Sequence, residues 1–238
     1  MDKANHIYQY SLLSALMEGV CEAGISVSKL LSRGNHGIGT FARMDGELIL
    51  LDDTVYQLQA DGGGGVREAS MEDQIPYAVA TNFSPTHTLV HQSLQSKLSI
   101  EEVLTAIAPQ ARNLFLSYRI KARFSSMTVR MVRGQQYPGQ PLSELGDNQC
   151  ISHYEDIEGT VVGFRTPVAW QGFSVSGHHL HFISSDCTRG GHVLDLRTDD
   201  ATIYMAVASN VRIELPTSEE FNVAKLKVDD AGIKKVEG

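Results

Sequence analysis

Apolar and polar residues follow strand patterns over most of the chain, and helical spacing is confined to a few short segments. Strand patterns cover residues 36–41, 44–58, 75–83, 114–120, 124–133, 160–165, 173–176, 178–183, 191–196, 202–208 and 211–215. Residues 44–58 form a predicted meander, because acidic turns separate two apolar runs. Pro76 places the start of its strand at a sheet edge, since proline donates no ladder hydrogen bond. The pattern predicts a predominantly β protein.

Helical spacing predicts four short helices, at residues 9–21, 26–31, 99–108 and 218–226. Ser99 and Glu102 form a predicted capping box at the start of the third helix, and Pro109 ends it. The glycine run at 61–65 predicts a hairpin tip. Residues 228–238 are polar apart from Ile233 and Val236, and this composition predicts a frayed tail.

The segment at 137–158 is rich in Pro, Gly, Asp and Asn, and it predicts a crossover between two β subdomains. We expect an α+β fold that is predominantly β. An N-terminal α+β subdomain with a mixed sheet would cover residues 1–140. A C-terminal antiparallel sheet or partly closed barrel would cover residues 141–227, with a site between the two and a tail at 228–238.

Composition narrows the class of protein. The chain has 238 residues, 42% of them hydrophobic, which is enough for a substantial core. A net charge of −8 without a basic run argues against a nucleic-acid partner. No apolar run approaches the ~20 residues that span a bilayer, so no membrane association is expected. Three cysteines far apart in sequence and a polar N-terminus without a signal-peptide pattern predict a cytoplasmic enzyme.

Four of the nine histidines fall between residues 177 and 195. His179 and His181 are two residues apart, so on a strand they lie on one face, and His178 faces the other way. A polar turn near Asp186 and Cys187 would return His192 to a position opposite His181. Three converging imidazoles with an open fourth position are typical of a catalytic zinc site.

Other interpretations of these histidines remain open. A single histidine in a strand is usually a packing residue, and two histidines at this spacing are weak evidence alone. The third histidine and the absence of paired cysteines favour an open metal site over a closed structural one. A cupin would place a glutamate within a few residues, where this chain has Ser184, Ser185 and Asp186. A cupin-like lyase or isomerase and a non-catalytic metal-binding module are the alternatives.

Spacing alone does not single out any further site residue. Glu47 starts a predicted strand, where a glutamate is usually solvated. Arg130 lies on the strand face opposite Met127 and Met131, and an arginine there is most often exposed, although one aimed into a cavity could hold a carboxylate.

The order of several motifs resembles the α-acetolactate decarboxylases along nearly the whole chain. The motifs are GIGTF at 37–41, DGELI at 45–49, VVGFRTP at 161–167, VSGHHLHFI at 175–183 and GGHVLD at 190–195. The resemblance implies decarboxylation of 2-acetolactate to (R)-acetoin and CO2, in acetoin and butanediol production. It also implies one zinc on His179, His181 and His192, and a possible homodimer.

The same resemblance implies roles for residues that spacing leaves ordinary. Glu47, Arg130 and Glu237 match catalytic positions of the family, and Thr40 would line the pocket. The match around Arg130 is looser, with Gln135 keeping the register. Zinc would chelate the keto and hydroxyl oxygens, and either Glu47 or Glu237 would protonate the enediolate. The tail would then fold back over the site, contrary to its composition.

Overall fold

The structure is a computed structural model that describes residues 3–60, 65–146, 149–228 and 232–233. Strands dominate the described residues, and all of their helices are short. The strands are β1 (Ile7–Tyr10), β2 (Ile25–Ser26), β3 (His36–Thr40), β4 (Glu47–Leu51), β5 (Thr54–Leu58), β6 (Val66–Glu68), β7 (Gln74–Ile75), β8 (Tyr77–Thr81), β9 (His87–Leu94), β10 (Phe115–Met131), β11 (Cys150–Thr166), β12 (Gly177–Ser184), β13 (Gly190–Ala208) and β14 (Val211–Glu214). The helices are α1 (Leu13–Met17), α2 (Val27–Leu31), α3 (Ser99–Ile107), α4 (Leu142–Leu145) and α5 (Glu219–Val223).

One sheet is mixed and has the strand order β14-β1-β8-β3-β4-β5-β6. β14 runs parallel to β1, and the other neighbours are antiparallel. Directly paired residues share a face, so Thr40, Glu47 and Leu58 form a row across β3, β4 and β5. This row faces the second sheet.

The second sheet is antiparallel and closes on itself. Its order is β10-β11-β12-β13-β9, and β10 also pairs with β13. β10, β11, β12 and β13 therefore form a closed circuit around an apolar interior that includes Tyr118, Phe124 and Phe182. Helix α3 packs Ile100 and Leu104 onto this interior. The predictions of a predominantly β fold, a mixed sheet and an antiparallel, partly closed barrel are confirmed.

The two sheets pack face to face through a second apolar layer. β3 packs against β11, and β4 packs against β12. Ile38 and Ile49 of the mixed sheet meet this layer together with Val162, Phe164 and Ile183 of the barrel. The strand that begins with Glu47 is thereby placed over the strand that carries His179 and His181.

The predicted helix at 9–21 is only partly correct. Residues 7–10 form β1, and the helix is limited to Leu13–Met17. Tyr8 and Gln9 are buried because β1 is paired on both sides, by β14 and β8. Ser11, at φ 67°, separates strand from helix. Tertiary pairing therefore overrides local helical spacing here.

The predicted crossover at 137–158 is wrong in its second half. β11 begins at Cys150 and pairs along its length with β10, so the segment between them joins adjacent strands of one sheet. The predicted boundary between residues 140 and 141 falls in this connection. The division of the chain into an N-terminal subdomain, a C-terminal subdomain and a tail stays a prediction.

Several other strand and helix predictions need correction. The strands predicted at 114–120 and 124–133 are one strand, β10, and those at 191–196 and 202–208 are one strand, β13. Residues 173–176 contain only an isolated bridge, and β14 joins the mixed sheet rather than the barrel. β8 begins after Pro76 and lies inside the sheet rather than at its edge. The N-cap of α3 is Leu98, without a side-chain cap.

The predicted hairpin tip lies largely outside the described residues, at 61–64, although the flanking β5 and β6 pair as expected. No helix of the described residues has both the length and the apolar character that a membrane crossing requires.

Candidate metal centre and active site

The β12–β13 hairpin brings the predicted histidines together. His181 lies directly opposite His192 in the register of the two strands, as the sequence predicts. The turn is closed by the main-chain N–H of Ser184, which donates to the carbonyl of Arg189 at 2.9 Å. Asp186 accepts a hydrogen bond from the Ser184 hydroxyl, and Cys187 adopts φ 53° within the turn. The register of the metal candidates therefore follows from a well-bonded turn.

His179, His181 and His192 converge on one point. All three are buried, and one ring nitrogen of each lies within 4.8 Å of the others. Tetrahedral zinc with nitrogen ligands at about 2.0–2.1 Å separates those ligands by about 3.3 Å. The three histidines could therefore hold a metal ion.

His181 supplies the test of whether a metal suits this site. Its Nδ1–H donates to the main-chain carbonyl of Leu48 at 2.8 Å, which leaves Nε2 as the atom with the free electron pair. Within the described residues, this Nε2 is buried and has no hydrogen-bond partner. A buried acceptor atom without a partner costs free energy unless something binds it. A metal ion at Nε2 satisfies this requirement.

Burial keeps the three imidazoles neutral. It lowers the pKa of His181 to about 3, with Arg130 acting in the same direction and the hydrogen bond to Leu48 opposing it. Burial also holds the pKa of His179 and of His192 well below the ordinary value, and the charge of Arg130 contributes to both. Neutral imidazole is the form that ligates a metal.

Glu47 and Arg130 lie beside the histidines, on opposite walls of the space between the sheets. Nη1 of Arg130 is 3.5 Å from Oε1 of Glu47, and Oε2 of Glu47 is 3.5 Å from Nε2 of His181. Arg130 is 2% exposed and Glu47 is 7% exposed. The solvated positions that strand spacing favours for both residues are therefore wrong.

A β-bulge in β13 sets His192 opposite Arg130. The register of β10 against β13 shifts between Thr128 and Val129, so that Val129 pairs with Val193 and Arg130 pairs with His192. Leu194 of β13 is the extra residue, so the bulge changes the facing of residues along β13, whereas Arg130 keeps the regular alternation of β10, on the face opposite Met127 and Val129. Regular alternation along β13 could not reveal that His192 lies opposite Arg130.

The turn before Glu47 is held by Thr40. The Thr40 hydroxyl donates to the carbonyl of Gly46 at 2.7 Å, and Thr40 is the direct strand partner of Glu47. Sequence reasoning anticipated a place for Thr40 near the site. It missed the carbonyl of Leu48, because a main-chain acceptor leaves no signal in the identity of a side chain.

His178 lies outside the cluster, as its position on the strand predicts. Its Nδ1 is 2.6 Å from the hydroxyl of Tyr118, and its Nε2 is 2.6 Å from Oε2 of Glu101 on α3. Burial lowers the pKa of His178, and the hydrogen bond that His178 donates to the Glu101 carboxylate opposes this shift. His178 therefore ties the barrel interior to α3.

Glu237 lies outside the described residues, so its place relative to the histidines stays a prediction. Ile233, four residues earlier, is 3% exposed and belongs to the apolar layer between the sheets. The frayed tail that composition predicts is therefore wrong at Ile233.

Comparison with known proteins identifies close relatives of the whole chain. Residues 7–228 match the family model described as alpha-acetolactate decarboxylase. An alpha-acetolactate decarboxylase of Raoultella terrigena is 37% identical over 233 residues, which cover 97% of this chain and 89% of that protein. The crystal structure of alpha-acetolactate decarboxylase from Bacillus subtilis strain 168 superimposes with a TM-score of 0.92 at 34% identity, covering 98% of this chain and 99% of that one. A Staphylococcus aureus protein similar to alpha-acetolactate decarboxylase superimposes with a TM-score of 0.88 at 32% identity, covering 98% of each chain.

Proposed function

The chain belongs to the alpha-acetolactate decarboxylase family of carboxy-lyases, and we propose that it converts 2-acetolactate to (R)-acetoin and CO2 at a zinc site between its two sheets. The observation that carries this proposal is the convergence of three buried, neutral histidines with a buried carboxylate and a buried guanidinium. The substrate has a ketone next to the carbon that loses CO2, so no organic cofactor is required to accept the electron pair.

His179, His181 and His192 would hold the zinc ion. When bound, zinc supplies a Lewis acid that polarises the substrate ketone and stabilises negative charge. The chain itself orients the ligands: the Leu48 carbonyl fixes the ring of His181, and the β12–β13 register fixes His192 opposite it. Burial keeps all three rings neutral, which is the form that ligates a metal.

Arg130 would bind the carboxylate of 2-acetolactate. Its guanidinium is planar and permanently charged, and such a group can form two parallel hydrogen bonds to a carboxylate. Arg130 lies opposite His192 and is almost fully buried, so water competes little for its donors. Holding the carboxylate in one orientation would also define the direction in which CO2 leaves.

Glu47 or Glu237 would give a proton to the carbon that has lost CO2. Glu47 is within 3.5 Å of both Arg130 and His181, which supports a role for its carboxyl group beside a substrate held by those two residues and the metal. Delivery of the proton from one side of the site would yield a single enantiomer of acetoin. A positioned acid of this kind contributes about 10²–10⁴-fold to the rate.

A non-catalytic metal-binding module and a cupin-like lyase or isomerase are the competing functions. Neither explains why a glutamate and an arginine from different sheets are buried together beside the histidines. Burial of such charged groups is costly and is common at functional sites.

The deciding experiment uses the zinc-loaded full chain and racemic 2-acetolactate. We expect stoichiometric CO2 and acetoin, with the R enantiomer dominant on a chiral column. Binding of zinc without CO2 release would favour the binding module, and racemic acetoin would contradict protonation from one side.

A further inference from the structure

Glu47 and Arg130 come from different sheets, so their relative position depends on how the two sheets are joined. Glu47 begins β4, and Arg130 is the penultimate residue of β10. Misplacing a reacting group by about 1 Å can cost on the order of 100-fold in rate. The segments flanking these two residues therefore need a firm connection.

Arg43 and Gln135 form that connection. The main-chain N–H of Gln135 donates to the carbonyl of Arg43 at 2.7 Å, and Nη2 of Arg43 donates to the carbonyl of Gln135 at 3.0 Å. Arg43 precedes Glu47 by four residues, and Gln135 follows Arg130 by five. The pair thus joins the segment before one strand to the segment after the other.

The Gln135 side chain extends the connection to a third segment. It is 5% exposed, and its Nε2 donates to the carbonyl of Gly19 at 3.0 Å and to that of Gln140 at 2.9 Å. The two carbonyls are close because Gly19, at φ 82°, packs directly on residue 139; an added Cβ would lie 2.6 Å from that main chain. The buried side-chain amide of Gln135 therefore links residues 19 and 140, and it fixes the main chain of Gln135 that bonds to Arg43.

The segment before Glu47 has a main-chain conformation that needs external support. Arg43 and Met44 adopt φ values of 60° and 54°, in the left-handed region that residues with a side chain rarely occupy. Such conformations persist only where the surroundings determine them strongly. The main chain of Gln135 bonds to Arg43, the first of these two residues, and the Gln135 side chain holds that main chain in place through Gly19 and Gln140.

We propose that Gln135 is a positioning residue for the decarboxylation: it holds the strained turn at 42–46 against the end of β10 and so sets the distance between Glu47 and Arg130. The inference rests on the roles proposed above for those two residues. Gln135 itself contacts no substrate in this proposal.

The first test replaces Gln135 by methionine, which preserves length and removes both side-chain donors. We expect kcat for 2-acetolactate to fall about tenfold with less than about threefold change in KM, because the reacting groups are displaced while ground-state binding is kept. Gln136→Ala is the matched control, since that neighbour is exposed, and it should keep the normal kcat. Gln135→Asn, whose amide is one methylene too short, replaces the methionine variant if circular dichroism shows that the latter does not fold.

A double-mutant cycle separates positioning from simple destabilisation. If Gln135 acts through the Glu47 and Arg130 pair, the double variant Gln135→Met/Glu47→Gln should lose less kcat than the two single variants predict together. Its fold-decrease in kcat should be well below the product of the two single fold-decreases. A fold-decrease in the double variant equal to that product, or a normal kcat in Gln135→Met, would overturn the proposal. Full turnover in Glu47→Gln would contradict the role of Glu47 itself, whereas a normal Gln135→Met beside an impaired Glu47→Gln would contradict only the positioning role.

Discussion

At the scale of residues, burial away from water determines the charge states and the pairing of the side chains in the candidate metal centre. The three histidines are neutral because burial disfavours the imidazolium form, and Arg130 adds to the effect. Glu47 and Arg130 are charged types that are rarely buried unless paired, and each lies near the other. Low local dielectric strengthens every interaction that these groups make with a charged substrate.

The histidine assignment predicts the metal content of alanine variants. His179→Ala, His181→Ala and His192→Ala should each lose most of the one zinc per chain, because two imidazoles bind zinc weakly. Elemental analysis after gel filtration measures this. His178→Ala is the control, since His178 is bonded to Tyr118 and Glu101 instead. Normal zinc in His181→Ala would contradict the assignment.

The arginine assignment predicts a difference between two conservative substitutions. Arg130→Lys should keep the fold and the zinc but lower kcat/KM by about 10-fold or more, because lysine lacks the planar pair of donors. Arg133→Lys should be nearly silent, since Arg133 is exposed. Steady-state kinetics compare the two variants, and equal losses would mean that the wrong arginine had been assigned.

The burial of His36 predicts that the free energy of unfolding falls in acid. It is fully buried and stacked on Phe83 at 4.6 Å, and burial together with Arg119 lowers its pKa to about 3. Below its ordinary pKa of about 6.5, the unfolded chain takes up a proton that the folded chain does not, so stability is present at neutral pH and falls as the pH falls. Protonation of one such histidine in the unfolded chain lowers the free energy of unfolding by about 2 kcal/mol between pH 6.5 and pH 5.

His36→Phe should remove that contribution. Urea unfolding measures the free energy of unfolding of the metal-free protein at pH 6.5 and at pH 5. The decrease in this free energy between the two pH values should be smaller in the variant than in the parent chain, by up to about 2 kcal/mol. The comparison uses the change with pH, because the larger ring also alters stability at every pH. His153→Phe, at an exposed position, should keep the parental pH dependence. An unchanged slope in His36→Phe would contradict the prediction.

At the scale of elements, the N-cap residue determines where a short helix begins. α2 lies within the helix predicted at 26–31, and Ser26 caps it by accepting a hydrogen bond from the main-chain N–H of Lys29 at 3.3 Å. α3 begins one residue earlier than its predicted cap implies, and Ser99 instead accepts from the N–H of Gln95. A capping pattern therefore locates a helix more reliably than it locates its first residue.

This contrast predicts unequal effects of two serine substitutions. Ser26→Ala should lower the unfolding free energy by about 1 kcal/mol, because the N-terminal N–H groups of α2 lose their acceptor. Ser99→Ala should cost only a few tenths of a kcal/mol, since it removes no helix cap. Denaturant unfolding of both variants measures the difference. A larger loss of unfolding free energy in Ser99→Ala than in Ser26→Ala would instead support Ser99 as the cap of α3.

The whole molecule creates the site by packing two sheets with their faces together. The histidines belong to the barrel and Glu47 to the mixed sheet, and His181 is bonded across the gap to the strand of Glu47. Ile233 packs into the same gap from the end of the chain. A homodimer and a cytoplasmic location stay predictions.

The anchoring of Ile233 predicts the effect of shortening the chain. Deletion of residues 234–238, or Glu237→Gln, should leave the thermal midpoint and zinc content nearly unchanged, because Ile233 remains. Acetoin formation should fall at least about tenfold if Glu237 delivers the proton. Calorimetry and a coupled acetoin assay measure the two effects. Full turnover after the deletion would leave Glu47 as the proton donor.

The local chemistry of the site was decided by the sequence alone. The spacing of His179 and His181, and the turn before His192, are short-range features, so the hairpin and its register could be predicted. The motif order identified the family for the same reason, because it depends on residue identity and spacing. Neither requires knowledge of distant contacts.

Only the tertiary structure decided which polar residues are buried together. A bulge in β13 sets His192 opposite Arg130, the packing of one sheet on another brings Glu47 to the site, and β1 replaces part of a predicted helix because two distant strands pair with it. Each of these depends on the free energy of contacts between residues far apart in the chain. Periodicity within a short window contains no information on such contacts.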